Sequence, residues 1–187
     1  MTIARPAPPT VYCDTSVLPA NIRQNTDECR KSLAAMSIIR SEADAGRLVL
    51  LGSLAVRREI LRTGNSDQLA RLVKDQAGIM PIAKDEKVLG FHTQHDPFGG
   101  STINPLVSDF QDERLKNALI ALGVKPDDAG HLAQASANCC DYFLTRDWDT
   151  IINRYRRDIE RICPPMKVRA PSELVAELGL NKEPRIP

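Results

Sequence analysis

The sequence predicts an α/β fold in which helices cover both faces of a central, mostly parallel sheet. Short apolar runs alternate with helix-compatible stretches along the chain, and this alternation is typical of β-α-β units. Residues 48–51 are all apolar, as expected for a strand that is buried on both faces. The 187 residues suit one domain with a sizeable core. We therefore expect a three-layer α/β/α architecture.

Each predicted element has a local signal in the sequence. Apolar or β-branched runs predict strands at 10–14, 48–51, 79–83, 142–145 and 167–170. Helical spacing of apolar residues, or a start residue such as Ser53 or Pro126, predicts the helices. These cover 27–45, 54–64, 66–76, 111–122, a helix that begins at 126, 151–163 and 171–178.

These elements form a single predicted domain over residues 10–180. Residues 1–9 are rich in Pro and Ala, and we expect a disordered arm there. Residues 181–187 form a predicted tail. The stretch 90–109 contains several Gly and Pro residues, which break regular structure, so it is predicted as a long loop or insertion.

Composition restricts the kinds of partner and compartment. A net charge of +1 lacks the basic excess of proteins that grip nucleic acid by bulk charge, so any such contact must be local. The five cysteines include no C-x-x-C pair, which favours free, buried thiols in a reducing cytosol. No run of 18 apolar residues occurs, so no membrane span is expected. We expect a cytoplasmic protein.

Four acidic residues lie where the predicted fold would bring them together. Asp14 and Asp147 directly follow predicted strands, so both should face the crevice at the carboxyl edge of the sheet. Asp128 lies in the first turn of a helix that opens at the same edge. Glu59 lies about two turns into the helix after the second strand, within reach of that edge.

Four converging carboxylates repel one another unless a cation lies among them. Mg²⁺ and Mn²⁺ prefer oxygen ligands and can activate water and stabilise charge on a phosphate. The pattern therefore indicates a phosphodiesterase site. Taken singly, each acid has a simpler interpretation: a strand-end Asp is commonly a cap or turn residue, and Glu59 could be solvated. The hypothesis depends on the whole set.

Five sequence blocks resemble the PIN-domain nuclease family. They are CDTSVL at Asp14, SLAVRREI at Glu59, DAGHLAQA at Asp128, YFLTRDWD at Asp147, and the terminal KVRAPSELVAEL. Together they span roughly residues 10–178. The resemblance implies a Rossmann-like parallel sheet and a Mg²⁺- or Mn²⁺-dependent ribonuclease whose catalytic and metal-binding residues are the four acids above.

The same resemblance implies partners and supporting residues. Many small members are VapC-type toxins that a cognate antitoxin inhibits, and a homodimer is common. The 90–109 stretch is longer than in compact toxins, which weakens the toxin assignment more than the nuclease assignment. The groups expected to support the carboxylates are Ser16, Thr145 and Asp149, with Thr15 as a further candidate.

Apart from the resemblance, basic residues lie next to and after Asp147 in the sequence, and a solvated helix face is the simpler interpretation of them. Arg146 is the one expected to contact RNA, because it adjoins Asp147.

Some alternatives remain open from sequence. His131 is three residues after Asp128 and could approach the site, although a packed, hydrogen-bonded His is the favoured interpretation. Haloacid-dehalogenase phosphatases also open on a strand-end Asp, but they need an acid where this chain has Ser16. The alternative function is a catalytically inactive PIN-like module that binds RNA or protein.

Overall fold

Five parallel strands form the central sheet of the computed structural model, which describes residues 7–23, 25–84, 88–89, 93–95, 101–103, 107–108 and 112–180. These strands are β1 (Thr10–Cys13), β2 (Val49–Gly52), β3 (Met80–Pro81), β4 (Tyr142–Leu144) and β5 (Lys167–Arg169). Their spatial order is β3-β2-β1-β4-β5, and every neighbouring pair is parallel. The five strands predicted from the sequence are the five strands of this sheet.

Seven α-helices in the described part of the chain flank the sheet. They are α1 (Asp27–Asp44), α2 (Leu54–Leu61), α3 (Ser66–Gln76), α4 (Glu113–Ala121), α5 (Pro126–Ala137), α6 (Arg156–Ile162) and α7 (Pro171–Leu178). Helix α1 packs against α7, while α5 packs against both α2 and α4. The predicted three-layer α/β/α fold is confirmed. None of the described helices is long and apolar enough to cross a lipid bilayer.

The core consists mainly of aliphatic side chains around the two central strands. Every residue of β4 is buried, as are Val11, Tyr12 and Cys13 of β1. The Tyr12 and Phe143 rings stack with centroids 5.5 Å apart, and this contact joins the neighbouring strands β1 and β4. Burial on both faces explains why these strands are continuous apolar runs and do not alternate.

The helix predicted at 151–163 begins earlier than expected. It starts as a π-helical segment, Trp148–Tyr155, and continues as α6. Asp147 caps it, because its Oδ1 accepts the Thr150 N–H at 2.9 Å. The segment therefore starts immediately after a strand-end acid, and this places Asp147 at the helix N-terminus.

The stretch predicted as a long loop or insertion contains short strands. Val88–Leu89 pairs antiparallel with Val107–Ser108, and Thr93–His95 pairs antiparallel with Ser101–Ile103. The intervening residues of 90–109 lie outside the described residues. So do residues 1–6 of the predicted N-terminal arm and the predicted tail at 181–187.

The strand order places a topological switch point at the centre of the sheet. From β1 the chain continues to β2 and β3 on one side, and it later returns to β4 and β5 on the other. Ligands of open α/β sheets bind in the crevice at the carboxyl ends of the strands next to such a point. In this protein those strands are β1 and β4, and they are followed by Asp14 and Thr145.

Candidate active site

Asp14 lies at the carboxyl end of β1 and is the most buried of the four predicted acids, with 7% of its surface exposed. Its backbone N–H donates to the Leu144 carbonyl at 3.0 Å. Its Oδ2 accepts hydrogen bonds from the Ser16 hydroxyl at 2.6 Å and the Thr145 hydroxyl at 2.8 Å. These hydroxyl groups supply hydrogen bonds that water would otherwise supply to a carboxyl group at this depth.

Thr145 connects the ends of β1 and the segment that follows β4. Its side chain is fully buried, and its Oγ1, which donates to Asp14, also accepts the Asp147 N–H at 3.1 Å. Ser16 has a parallel role, since its Oγ accepts the Arg146 N–H at 2.9 Å. The two hydroxyl residues predicted to support the carboxylates therefore lie between Asp14 and the backbone that carries Asp147.

Glu59 reaches the same edge from α2. Its Oε2 accepts the Thr15 hydroxyl at 2.5 Å, and its Oε1 lies 2.9 Å from His131 Nε2. Burial disfavours the charged form of Glu59. The hydrogen bonds from His131 and Thr15 and the positive charges of His131 and Arg62 outweigh burial and lower the pKa of Glu59.

His131 is held from its other side by a buried hydroxyl. The Tyr12 hydroxyl lies 2.8 Å from His131 Nδ1 and 2.6 Å from Ser53 Oγ. Burial opposes protonation of His131, but the hydrogen bond to Glu59 and the charges of Asp14, Glu59 and Asp128 raise its pKa overall. Ser53, predicted as a helix cap, occupies the cap position of α2 without a side-chain capping bond; its hydroxyl serves this network.

Asp128 lies in the first turn of α5, close enough to the other acids to feel their charge. Burial raises its pKa to about 6, and the negative charges of Asp14 and Asp147 add to the increase. This mutual repulsion is the electrostatic signature of carboxylates brought together by a fold. It links three of the predicted acids into one group.

The tightest group of ligand atoms contains two of the four predicted acids and one further residue, His131. In the described part of the chain, Asp14, Glu59 and His131 each offer one ligand atom, and these atoms lie within 4.8 Å of one another. Asp128 and Asp147 are outside this inner group. From the sequence, a packing role was the favoured interpretation of His131, which is buried as expected but also bonds to a carboxylate. Its spacing from Asp128 was the signal for that second role.

The remaining predicted residues have other contacts. The Arg146 guanidinium lies 3.4 Å from the Ser16 carbonyl and 3.2 Å from Cys29 Sγ, so its side chain is held by two other groups of the protein. Contact between Arg146 and RNA stays a prediction. Asp149 is exposed in the first turn of the π-helical segment, and no hydrogen bond between described residues joins it to the carboxylates.

Two carboxylates and one imidazole, from Asp14, Glu59 and His131, could together hold a metal ion. Carboxylate oxygens are the ligands that Mg²⁺ and Mn²⁺ prefer. Asp14, Glu59 and His131 could hold the ion if His131 Nε2 gave up its proton and its hydrogen bond to Glu59. Asp128 lies close enough to Asp14 and Asp147 to feel their charges. Burial is the main cause of the raised pKa of Asp128, and the charges of Asp14 and Asp147 add to it; a cation among these groups would offset the second contribution.

Comparisons of the chain with protein-family models, with curated proteins and with solved structures found no match.

Proposed function

We propose that this protein is a metal-dependent endoribonuclease of the PIN-domain type, which hydrolyses RNA phosphodiester bonds with Mg²⁺ or Mn²⁺. The observation that carries the proposal is the convergence of acids at the sheet switch point. Asp14 follows β1 and Asp147 follows the end of β4, while Glu59 and Asp128 approach from α2 and α5.

The residues around these acids support a site that is organised before substrate binds. Asp14 Oδ2 is fixed by two hydroxyl groups, and both Glu59 oxygens have partners, Thr15 and His131. Groups that are already oriented lose little freedom when a reaction begins. When bound, a divalent cation supplies Lewis-acid stabilisation of charge on the scissile phosphate and favours ionisation of an attacking water.

Cleavage of a labelled single-stranded RNA tests this function. The purified protein should cleave it in Mg²⁺ or Mn²⁺ and stop in EDTA. Asp14→Asn should reduce the rate by roughly 100-fold or more, since a direct ligand should matter more than the groups that orient it, which typically contribute about 10–100-fold. Asp147→Asn should also reduce it strongly.

The matched control is Asp44→Asn, the same chemical change at an exposed position at the end of α1. This variant should cleave like the wild type. If no divalent ion supports cleavage, or if both Asn variants retain the full rate, the enzymatic proposal is wrong and the inactive binding module becomes the better interpretation. The antitoxin partner, the homodimer and the cytoplasmic location stay predictions from the sequence.

A further inference from the structure

A cleft of about 210 Å³ opens beside the carboxylate site. Its walls are formed by α2, by Lys116 of α4 and by the first turns of α5. Glu59 and His131 line both the cleft and the site. A strand of nucleic acid whose scissile phosphate lay at the carboxylates would therefore extend directly across this cleft. The cleft differs from the carboxylate site because basic side chains also line it.

Three cationic side chains line the cleft: Arg58, Arg62 and Lys116. Arg62 and Lys116 form no ion pair with another described residue. Arg62 is exposed and Lys116 half-buried, so neither has to break a salt bridge to a described residue before it meets a ligand. Three cations stand against two acids, Glu59 and Asp127, in the lining of the cleft, so the cleft is positive on balance in a chain whose net charge is only +1.

Helix α5 contributes its N-terminus to the same cleft. Pro126 and Asp127 line the cleft, and the capping residue Lys125 makes no side-chain capping bond. The first backbone N–H groups of a helix carry partial positive charge and favour anions such as phosphate. This charge adds to that of the three side chains, although Asp127 opposes it.

The floor of the cleft has no side chain at Gly130. This glycine lies inside α5, where glycine is entropically unfavourable. A Cβ added there would meet no atom of the described residues within 4 Å. The space above Gly130 is therefore open, and a ligand can approach the helix backbone closely.

We propose that this cleft binds a phosphate of the RNA strand next to the phosphate that is cleaved. Arg58, Arg62 and Lys116 then act as positioning residues that set where the strand crosses the carboxylates. This inference rests on the proposed nuclease function and assigns the local contact that the nearly neutral chain requires. It predicts binding that is sensitive to salt and insensitive to base sequence.

RNA binding can be measured without cleavage in protein that carries Asp14→Asn. Fluorescence anisotropy with a labelled single-stranded RNA gives the affinity over a range of salt concentrations. Adding Arg62→Ala or Lys116→Ala should lower the affinity and should reduce the slope of log K against log salt by about 0.7 for each lost phosphate contact. Arg71→Ala, which removes an exposed cation of α3 outside the cleft, should change neither quantity.

Substitutions at Gly130 test the space itself without changing charge. Affinity should fall progressively from Gly130→Ala to Gly130→Leu, because the larger side chain fills the cleft, while thermal melts show that both variants are folded. If the Arg62, Lys116 and Gly130 variants all bind like the parent protein while the wild type cleaves RNA, the cleft proposal alone is wrong. If the wild type does not cleave and the parent protein does not bind RNA, the proposed function is wrong and this inference fails with it.

Discussion

At the residue scale, Asp14 and Asp128 show how similar carboxyl groups acquire different properties. Asp14 is the more buried, but two hydroxyl groups donate to one of its oxygens. For Asp128, burial and the charges of Asp14 and Asp147 together raise the pKa to about 6. Burial and like charges thus favour the neutral form of Asp128.

The raised pKa of Asp128 predicts how stability depends on pH. Its pKa is 3.8 in a model compound and about 6 in the folded, metal-free protein, so between these values the folded state binds more protons than the unfolded state. The stability contributed by this proton is complete below pH 3.8 and is lost as pH rises through about 6. Asp128→Asn should therefore stabilise the metal-free protein at pH 7.5 and have little effect at pH 4.

Urea denaturation in EDTA at the two pH values measures this difference. The comparison of wild type with variant at each pH removes the contribution of other titrating groups. Asp44→Asn should show the same small effect at both values, since Asp44 is exposed. An Asp128→Asn effect that does not change with pH would contradict the raised pKa.

At the element scale, buried hydrogen bonds hold α2 and α5 against β1. The Tyr12 hydroxyl lies between His131 of α5 and Ser53 at the start of α2. The side chains of all three residues are almost fully buried, so water cannot replace a lost partner. This connection sets the position of His131, and through it the orientation of Glu59.

Removing the Tyr12 hydroxyl should therefore destabilise the protein and disturb the site. Tyr12→Phe leaves two buried polar groups without this partner, and we expect a loss of about 1–3 kcal/mol in the free energy of unfolding. Tyr142→Phe is the matched control, because among the described residues its hydroxyl bonds only to Glu177, which keeps Lys167 and Arg169 as partners. Chemical denaturation measures both variants. Equal losses of stability in the two variants would show that the hydrogen bonds of the Tyr12 hydroxyl stabilise the protein no more than that of the Tyr142 hydroxyl.

At the scale of the whole molecule, the parallel sheet brings acids from distant parts of the chain to one edge. Only the folded chain holds them together, so repulsion among them acts on the folded state and unfolding relieves it. A cation that binds this arrangement stabilises the native state alone. Metal binding and folding should therefore be linked.

Thermal melts in EDTA and in Mn²⁺ test that linkage. A cation at ten times its Kd adds about 1.4 kcal/mol, which raises the melting temperature of a domain of this size by a few degrees. Asp14→Asn should show a smaller increase, and its metal-free form should be at least as stable as the wild type. Asp44→Asn should show the wild-type increase. The same increase in all three proteins would mean that Mn²⁺ binds elsewhere.

The sequence by itself determined the order and type of the main elements. Each predicted strand and helix has a counterpart in the structure, and two helices, Ser66–Gln76 and Pro171–Leu178, have the predicted bounds. The helix predicted at 151–163 begins earlier, at Trp148. These features are local: apolar periodicity, capping residues and helix-breaking residues are all read within a few positions. The strand-end positions of Asp14 and Asp147 follow from the same signals.

Only the tertiary structure decided which side chains meet and in what state. Neither the inclusion of His131 in the inner group nor the use of the Ser53 hydroxyl by Tyr12 follows from local sequence, because each depends on how α2 and α5 pack against β1. The short strand pairs between 88 and 108 likewise depend on pairing between separated residues. Helix packing and strand pairing join positions that are far apart in the chain. Periodicity is read over a few neighbouring residues, so it does not show which distant positions will meet.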